Sequence, residues 1–390
     1  MDDHRTVLVD AAIWIEDGVI AWMGKQSQIP DACQKAECER VHARGQLVTP
    51  GLVDCHTHVV FGGDRRDEFR LRAAGASYED IAAAGGGIRS TMALTRGATI
   101  EELSLSALGR LNEMHARGVT SVEIKTGYGL SLEAELKMLE VIRFLQGAQP
   151  MRLVATFLGA HTVPPEFDDM HEYARYVCSE MLPAVAEHGL AQFCDVFCER
   201  NVFDVYASRQ VLEAGLSFGL RPKVHAEQLS WQGGARLGVS LGAVSVDHLE
   251  YITDTDIELL ADGDTVAVVL PGAAVTLNVE RYAPARRLLD AGARVAIATD
   301  CNPGSSMCVD LRLMTTLATT LMGMTPDEAF AGVTCHAANA LGRDDIGRLR
   351  VGAAGDLVIW RTDHEHNIPY RYGAVEPDCV IVGGVRSKPE

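Results

Sequence analysis

Leu47-Val48-Thr49-Pro50-Gly51-Leu52-Val53-Asp54-Cys55-His56-Thr57-His58 is the stretch on which the fold turns. Its apolar half, Leu47 to Val53, reads as one short buried strand. His56 and His58 are one residue apart. They therefore share one side of the strand's end, because strand side chains alternate with period two. Two imidazoles on one side can chelate one divalent metal. His-x-His alone also suits a surface turn, so the weight falls on where the chain puts its other His and Asp residues.

Downstream, a strand–loop–helix unit repeats. Strands are expected at 119–124, 152–158, 193–198, 222–225, 244–248, 266–270 and 295–300. Helices are expected at about 100–116, 131–145, 168–188, 204–218, 229–237, 254–262, 284–291, 308–322 and 326–341. Thr99 with Glu102 forms a capping box, and Gly118 is a stop signal. A second box, Ser77-Tyr78-Glu79-Asp80, opens a short helix at 81–84, which Gly85-Gly86-Gly87 ends; no Gly-Lys-Ser/Thr follows, so this is not a phosphate loop. Together with the strand before His56 there are eight apolar strands, mostly separated by helices. That pattern implies parallel pairing with both faces covered, and eight units suggest closure into a (β/α)8 barrel. The rival, an open doubly wound sheet, lacks its nucleotide fingerprint after the first strand.

Both termini read as strands instead: residues 6–24, with a turn at Glu16-Asp17-Gly18, and later 346–349, 356–360 and 379–384. Residues 1–48 and 343–390 are thus expected to form one small β-sandwich, with the catalytic barrel, 49–342, inserted between its halves. The composition suits this. Of 390 residues, 47% are hydrophobic, enough for a large core, and the net charge of −18 argues against nucleic acid or an anionic membrane as partner. Ten scattered cysteines without a Cys-x-x-Cys pair, and no secretory signal, point to a reduced, cytoplasmic chain. No apolar run is long enough for a membrane span.

In a closed barrel the active site lies where strands end at the C-terminal face. The polar residues at those positions are His56, His58, Tyr128, His161, Glu199, His225, His248 and Asp300. Three histidines and one carboxylate suit zinc or iron with a position left for water, so His56, His58, His225 and Asp300 are the expected ligands. Such a centre makes hydroxide available near neutral pH. Asp300 can also take the water's proton, and His248 can hydrogen-bond the water or a developing oxyanion. The fourth strand ends Phe197-Cys198-Glu199-Arg200 without a lysine that could bridge two ions, so one metal per chain is expected unless Glu199 bridges.

His56-x-His58, His225, His248 and Asp300 resemble the amidohydrolase superfamily. Longer strings narrow the resemblance to its imidazolone-opening branch. They are Phe61-Gly62-Gly63-Asp64-Arg65, Gly85-Gly86-Gly87-Ile88, the run from Glu123 to Leu130, the run from Phe157 to Glu166, His225-Ala226-Glu227-Gln228-Leu229-Ser230, and the run from Asp300 to Ser306. The resemblance covers residues 48 to 342. It implies hydrolytic opening of the cyclic amide 4-imidazolone-5-propanoate to N-formimidoyl-L-glutamate, with a homodimer as the assembly. On that reading Arg65 takes the propionate. Tyr128 donates to the carboxylate or ring, and His161 bonds the ring nitrogen or carbonyl. Gln228 orients substrate or water. Asn302, Gly304 and Ser305 form a turn that binds a product carboxylate through backbone N–H and side-chain groups.

Two departures from the family pattern stand out. The N-terminus is short by one or two strands, which leaves the sandwich incomplete. The run Ala274-Val275-Thr276-Leu277-Asn278-Val279 stands where aromatics are usual and is expected to lie over the barrel mouth. Two other functions fit less of the pattern. Another cyclic-amide hydrolase or a heterocycle deaminase would use the same metal site. A non-catalytic barrel would have no reason to keep every ligand.

Overall fold

The computed structural model describes residues 6–35, 37–75 and 86–387. The capping box at 77–80 and the helix at 81–84 lie outside them. The chain opens with an antiparallel hairpin, β1 (Ala11–Glu16) and β2 (Val19–Lys25). Asp17 (φ 49°) and Gly18 (φ 79°) both take positive φ, the turn that matches the twist of the flanking strands. β3 (Leu47–Pro50) then pairs antiparallel with a strand from the far end of the chain.

Leu47 to Val53 is two strands rather than one. β3 ends at Pro50, which has no N–H to carry the ladder on. Gly51 crosses between the sheets, its N–H donating to Asp356 O at 3.0 Å. β4 (Leu52–Asp54) then runs parallel to β5 (Val119–Lys125). Gly51 sits so close to Thr120 that a Cβ there would overlap its side chain.

From β4 the strands follow in sequence order, each parallel to the next. They are β5, β6 (Arg152–Ala160), β7 (Phe193–Cys198), β8 (Arg221–Ala226), β9 (Ser245–His248), β10 (Val266–Val269) and β11 (Val295–Ile297). The barrel closes just beyond β4 and β11. Asp300 N–H donates to His56 O at 3.0 Å, and His58 N–H donates to Cys301 O at 2.9 Å. Asp54 accepts from the Thr299 N–H at 3.1 Å and the Thr299 hydroxyl at 2.6 Å. The backbone that shuts the barrel is therefore the backbone that carries His56, His58 and Asp300.

The small β unit uses both termini. β12 (Leu357–Trp360) lies between β3 and β13 (Pro377–Val382), and β14 (Val385–Ser387) extends the sheet beyond β13. Leu357, Ile359, Cys379 and Ile381 pack with Ile13, Ile15 and Val48, so the N-terminal hairpin covers this sheet. Arg152 ties the unit to the barrel through Asp356 at 2.7 Å.

Local chemistry explains where elements differ from expectation. Residues 229–232 are not helical. The Glu199 carboxylate takes the N–H groups of Leu229 and Ser230, and Glu227 takes those of Gln232, Gly234 and Ala235; the helix begins only at Gly234–Ser240. The 326–341 helix breaks into Pro326–Gly332 and Cys335–Ala340 around Thr334, whose ψ of −98° is not helical. Residues 346–349 form no strand. Residues 271–276 form a short helix with Pro271 in its first turn, so Ala274 is buried and the expected mouth loop is partly helix. No helix among the described residues is long and apolar enough to cross a membrane.

Gly51→Ala is expected to lower stability by about 1–3 kcal/mol, because the added methyl must displace Thr120. Gly147→Ala adds a methyl within a helix where nothing lies within 4 Å, and is expected to be neutral or stabilising. Urea midpoints of both variants, with far-UV circular dichroism to confirm the fold, check this.

Candidate metal centre and active site

His56 and His58 follow β4, His225 lies in β8, His248 ends β9, and Asp300 follows β11. All five are buried and meet at the C-terminal rim. His56 Nε2 is 3.5 Å and His58 Nε2 is 3.7 Å from Asp300 Oδ1. The His56 and His225 ring centres are 4.5 Å apart, and those of His225 and His248 are 5.3 Å apart. Two overlapping sets, His56–His58–Asp300 and His56–His225–His248, each hold their ligand atoms within 4.8 Å of one another.

The donor set fits a divalent cation. His56 Nε2, His58 Nδ1, His225 Nε2 and His248 Nδ1 are buried without a hydrogen-bond partner. Buried polar atoms normally find one, so bare nitrogens grouped at one rim suit a bound cation. Burial holds the imidazoles of His56, His58 and His248 well below their usual pKa, which keeps them neutral and able to bind metal. Burial pushes the Asp300 carboxyl up to about 7. Ser305 Oγ donates to Asp300 Oδ2 at 3.2 Å, leaving Oδ1 turned toward the histidines. Positive φ values at His248 (84°) and Leu249 (75°) turn the chain sharply after β9.

Beneath the histidines lies a layer of buried charge that the sequence reading did not single out. His56 Nδ1 is 2.6 Å from Asp247 Oδ2, and His225 Nδ1 is 3.1 Å from Asp195 Oδ2. Lys125, Lys223 and Glu123 complete the layer, all fully buried in the barrel. Its trace in the sequence is charge inside otherwise apolar strands: Glu123 and Lys125 two residues apart in β5, and Asp195 in the middle of β7.

The mouth carries the expected substrate residues. The Arg65 guanidinium is gripped by Glu68 at 2.6 and 2.8 Å and lies against Gly304, where any Cβ would overlap it. The Tyr128 ring is 5.7 Å from His58 and 5.4 Å from His161. Burial, then the nearby Asp300 charge, raises the Tyr128 phenol above its normal range, so it stays protonated. His161 Nδ1 donates to Gly127 O at 3.0 Å, and its ring stacks on His58. The Tyr128 loop is shaped by Glu135, another residue missed in the sequence. Its carboxylate accepts from the N–H groups of Gly127, Gly129 and Leu130. Gln228 is half-buried and hydrogen-bonded to no described residue.

Two expected positions are engaged elsewhere. Asn302 Oδ1 accepts from the Gly304 and Ser305 N–H groups, both at 2.8 Å, so these donors are occupied within the turn. Glu199 is bound to the Ser230 hydroxyl and to three backbone N–H groups, those of Arg200, Leu229 and Ser230, and belongs to neither ligand set. Glu250 is also buried near the rim. Its Oε2 lacks a partner, and burial, with Asp300 and Glu199 close by, pushes its carboxyl up to about 8.

A closed parallel barrel with imidazoles and an aspartate at its C-terminal rim defines a hydrolase of the amidohydrolase class. The amidohydrolase family model matches residues 234–386. The imidazolonepropionase of Geobacillus kaustophilus is 47% identical over 382 residues, 97% of this chain and 90% of that protein. The imidazolonepropionase of Cupriavidus taiwanensis is 47% identical over 373 residues, 95% of this chain and 89% of that one. The crystal structure of an adenosine deaminase from Xanthomonas campestris with bound zinc superposes with a TM-score of 0.70 at 19% identity, over 98% of this chain and 89% of that one. The chain belongs to the imidazolonepropionase family.

Zinc affinity should follow the protonation of Asp300. Its carboxyl is raised above the unfolded value, so below about pH 7 zinc must displace a proton, and the apparent affinity falls about tenfold per pH unit. Above that pH the affinity should level off. Chelator competition across this range reads the slope; an affinity flat on both sides of pH 7 would remove Asp300 from the ligand set.

Proposed function

We propose that the chain is a cytoplasmic enzyme of histidine degradation that opens 4-imidazolone-5-propanoate to N-formimidoyl-L-glutamate with one zinc or iron ion per chain. The observation that carries this reading is one rim shared by a His–Asp cluster and by Arg65, Tyr128 and His161. The cluster suits hydrolysis, and the other three suit a planar ring bearing a carboxylate. The names of the near-full-length relatives support the same substrate.

His56, His58, His225 and Asp300 would hold the ion. When bound, it polarises a carbonyl and makes water more acidic. Asp300 takes a proton from the attacking water, being a carboxylate whose pKa lies near neutrality. The water oxygen bonds to the ring carbonyl carbon. His248, kept neutral by burial, donates a hydrogen bond to the oxygen that gains charge. The carbon–nitrogen bond then breaks, its electron pair stays on the ring nitrogen, and Asp300 returns the proton there. Water is consumed, and a carboxylate and an amidine nitrogen are produced.

Arg65 pairs with the propionate, and the protonated Tyr128 donates to the carboxylate or ring. The Nδ1 bond of His161 to Gly127 leaves Nε2 for the ring nitrogen or carbonyl. Gln228 orients substrate or water. Asn302, Gly304 and Ser305 act indirectly, through Asp300 and the seating of Arg65, since their N–H groups are taken. A net charge of −18 supports a small-molecule partner over nucleic acid, and ten scattered cysteines without a Cys-x-x-Cys pair fit a reducing compartment. A homodimer is carried over from the family resemblance.

Purified zinc-loaded chain should abolish the ultraviolet absorbance of the imidazolone ring without releasing ammonia; ammonia release would instead favour the deaminase reading. Asp300→Asn should lower kcat by about 10²–10⁴-fold. Arg65→Met should raise KM much more than it lowers kcat, since it removes ground-state binding. An unchanged KM would take the propionate from Arg65.

A further inference from the structure

Lys125 Nζ lies 2.7 Å from Asp195 Oδ2 and 3.4 Å from Asp247 Oδ2. Those same two oxygens face the metal histidines. Asp247 Oδ2 is 2.6 Å from His56 Nδ1, and Asp195 Oδ2 is 3.1 Å from His225 Nδ1. One ammonium group thus stands behind both histidines, each time through a single shared carboxylate oxygen. We propose that Lys125 is a positioning residue that couples His56 and His225, setting the orientation of both rings for the metal together. The proposal rests on the metal reading above and adds to it the group that organises the site from below.

The layer's chemistry supports this. Lys125 also reaches Glu123 Oε1 at 3.0 Å, and Lys223 holds Glu123 Oε2 at 2.8 Å. Two ammonium groups face three carboxylates, so one negative charge is left under the histidines. All five side chains are fully buried. A buried ion pair is a weak source of stability, and apolar residues of similar size often serve as well for packing. What an apolar residue cannot do is fix which oxygen of Asp195 and of Asp247 faces its histidine. Carboxylates behind a ligating imidazole set its tautomer and direction. Ser245 holds the other oxygen of Asp247 at 2.6 Å, so that carboxylate is gripped from both ends. With Nδ1 committed to Asp247, His56 has only Nε2 to turn toward Asp300 and the other rings.

The coupling has a signature that simple packing lacks. Asp195 is paired with His225 and with Lys125, not with His56. Asp195→Asn should nevertheless shift the His56 Nδ1–H proton resonance in metal-free protein, because it changes the pull of Lys125 on Asp247. Asp247→Asn should shift the same signal and so assign it. Lys125→Met should move the imidazole signals of both His56 and His225 and weaken zinc binding about 10–100-fold, read by chelator competition. Circular dichroism reports whether the variant folds.

A folded Lys125→Met variant with wild-type zinc affinity would overturn the proposal. So would a His56 signal that Asp195→Asn leaves in place, and this second test stands even if Lys125→Met does not fold. The proton measurement is made without metal. A wild-type chain that binds no zinc would therefore remove the metal reading, while the His56 response would still decide whether Lys125 couples the two rings.

Discussion

Four imidazoles with bare ring nitrogens, resting on a layer of buried charge, set the terms for the rest of this molecule. Desolvation disfavours charge on every one of these groups. It keeps His56, His58 and His248 neutral and lifts Asp300 toward neutrality. A divalent cation placed among them would satisfy the bare nitrogens and reverse the logic of Asp300, since a nearby positive charge favours the carboxylate. One layer lower, Lys125 and Lys223 stand directly against Glu123, Asp195 and Asp247. The barrel interior is thus two stacked layers of polar groups, the lower built around two lysines and the upper suited to a metal.

That arrangement needs the barrel shut at one particular seam. The strands on either side of it carry His56, His58 and Asp300, and their backbones bond each other directly at 2.9 and 3.0 Å. The two histidines and the aspartate therefore cannot drift apart without opening the barrel. The small β unit bears on the same seam. β3 belongs to its sheet, and one residue later, past Gly51, the chain enters β4 and reaches His56 and His58. Trp360 of that unit bonds Thr49 at 2.8 Å and lies under Gly118 at the start of β5.

Much of this was legible in the chain because its signals are local and periodic. Apolar runs bounded by helices gave the eight strands, and the polar residues at their ends gave the side chains that meet at the rim. Thr99 and Glu102 read as a capping box and form one. What stayed hidden depends on partners far away in sequence. The break at Gly51 comes from two sheets competing for one strand. The loss of helix at 229–232 comes from Glu199, thirty residues upstream of Leu229. The buried layer was hidden for the same reason: Lys125 looks like an ordinary surface lysine until Asp195 and Asp247 are seen beside it. The turn at Asn302–Ser305 looked like an anion site because its N–H groups converge, but its own Asn side chain fills it.

The division of proton work in the proposed reaction follows from these surroundings. A group that both accepts and returns a proton should have a pKa near the working pH. Asp300 meets that condition, and a cation held beside it would move it toward the carboxylate, ready to accept. Ser305 on Oδ2 keeps the side chain from turning away as its charge changes. His248 is a poor acceptor by comparison, because burial and the neighbouring His225 both oppose its protonated form. The neutral imidazole is better suited to donate one hydrogen bond to a forming oxyanion and keep its proton. Glu250 differs again: burial first, then Asp300 and Glu199 nearby, favours its neutral acid. Three ionisable groups at one rim are thus shifted to different degrees, by burial and by the neighbours that the fold places beside each.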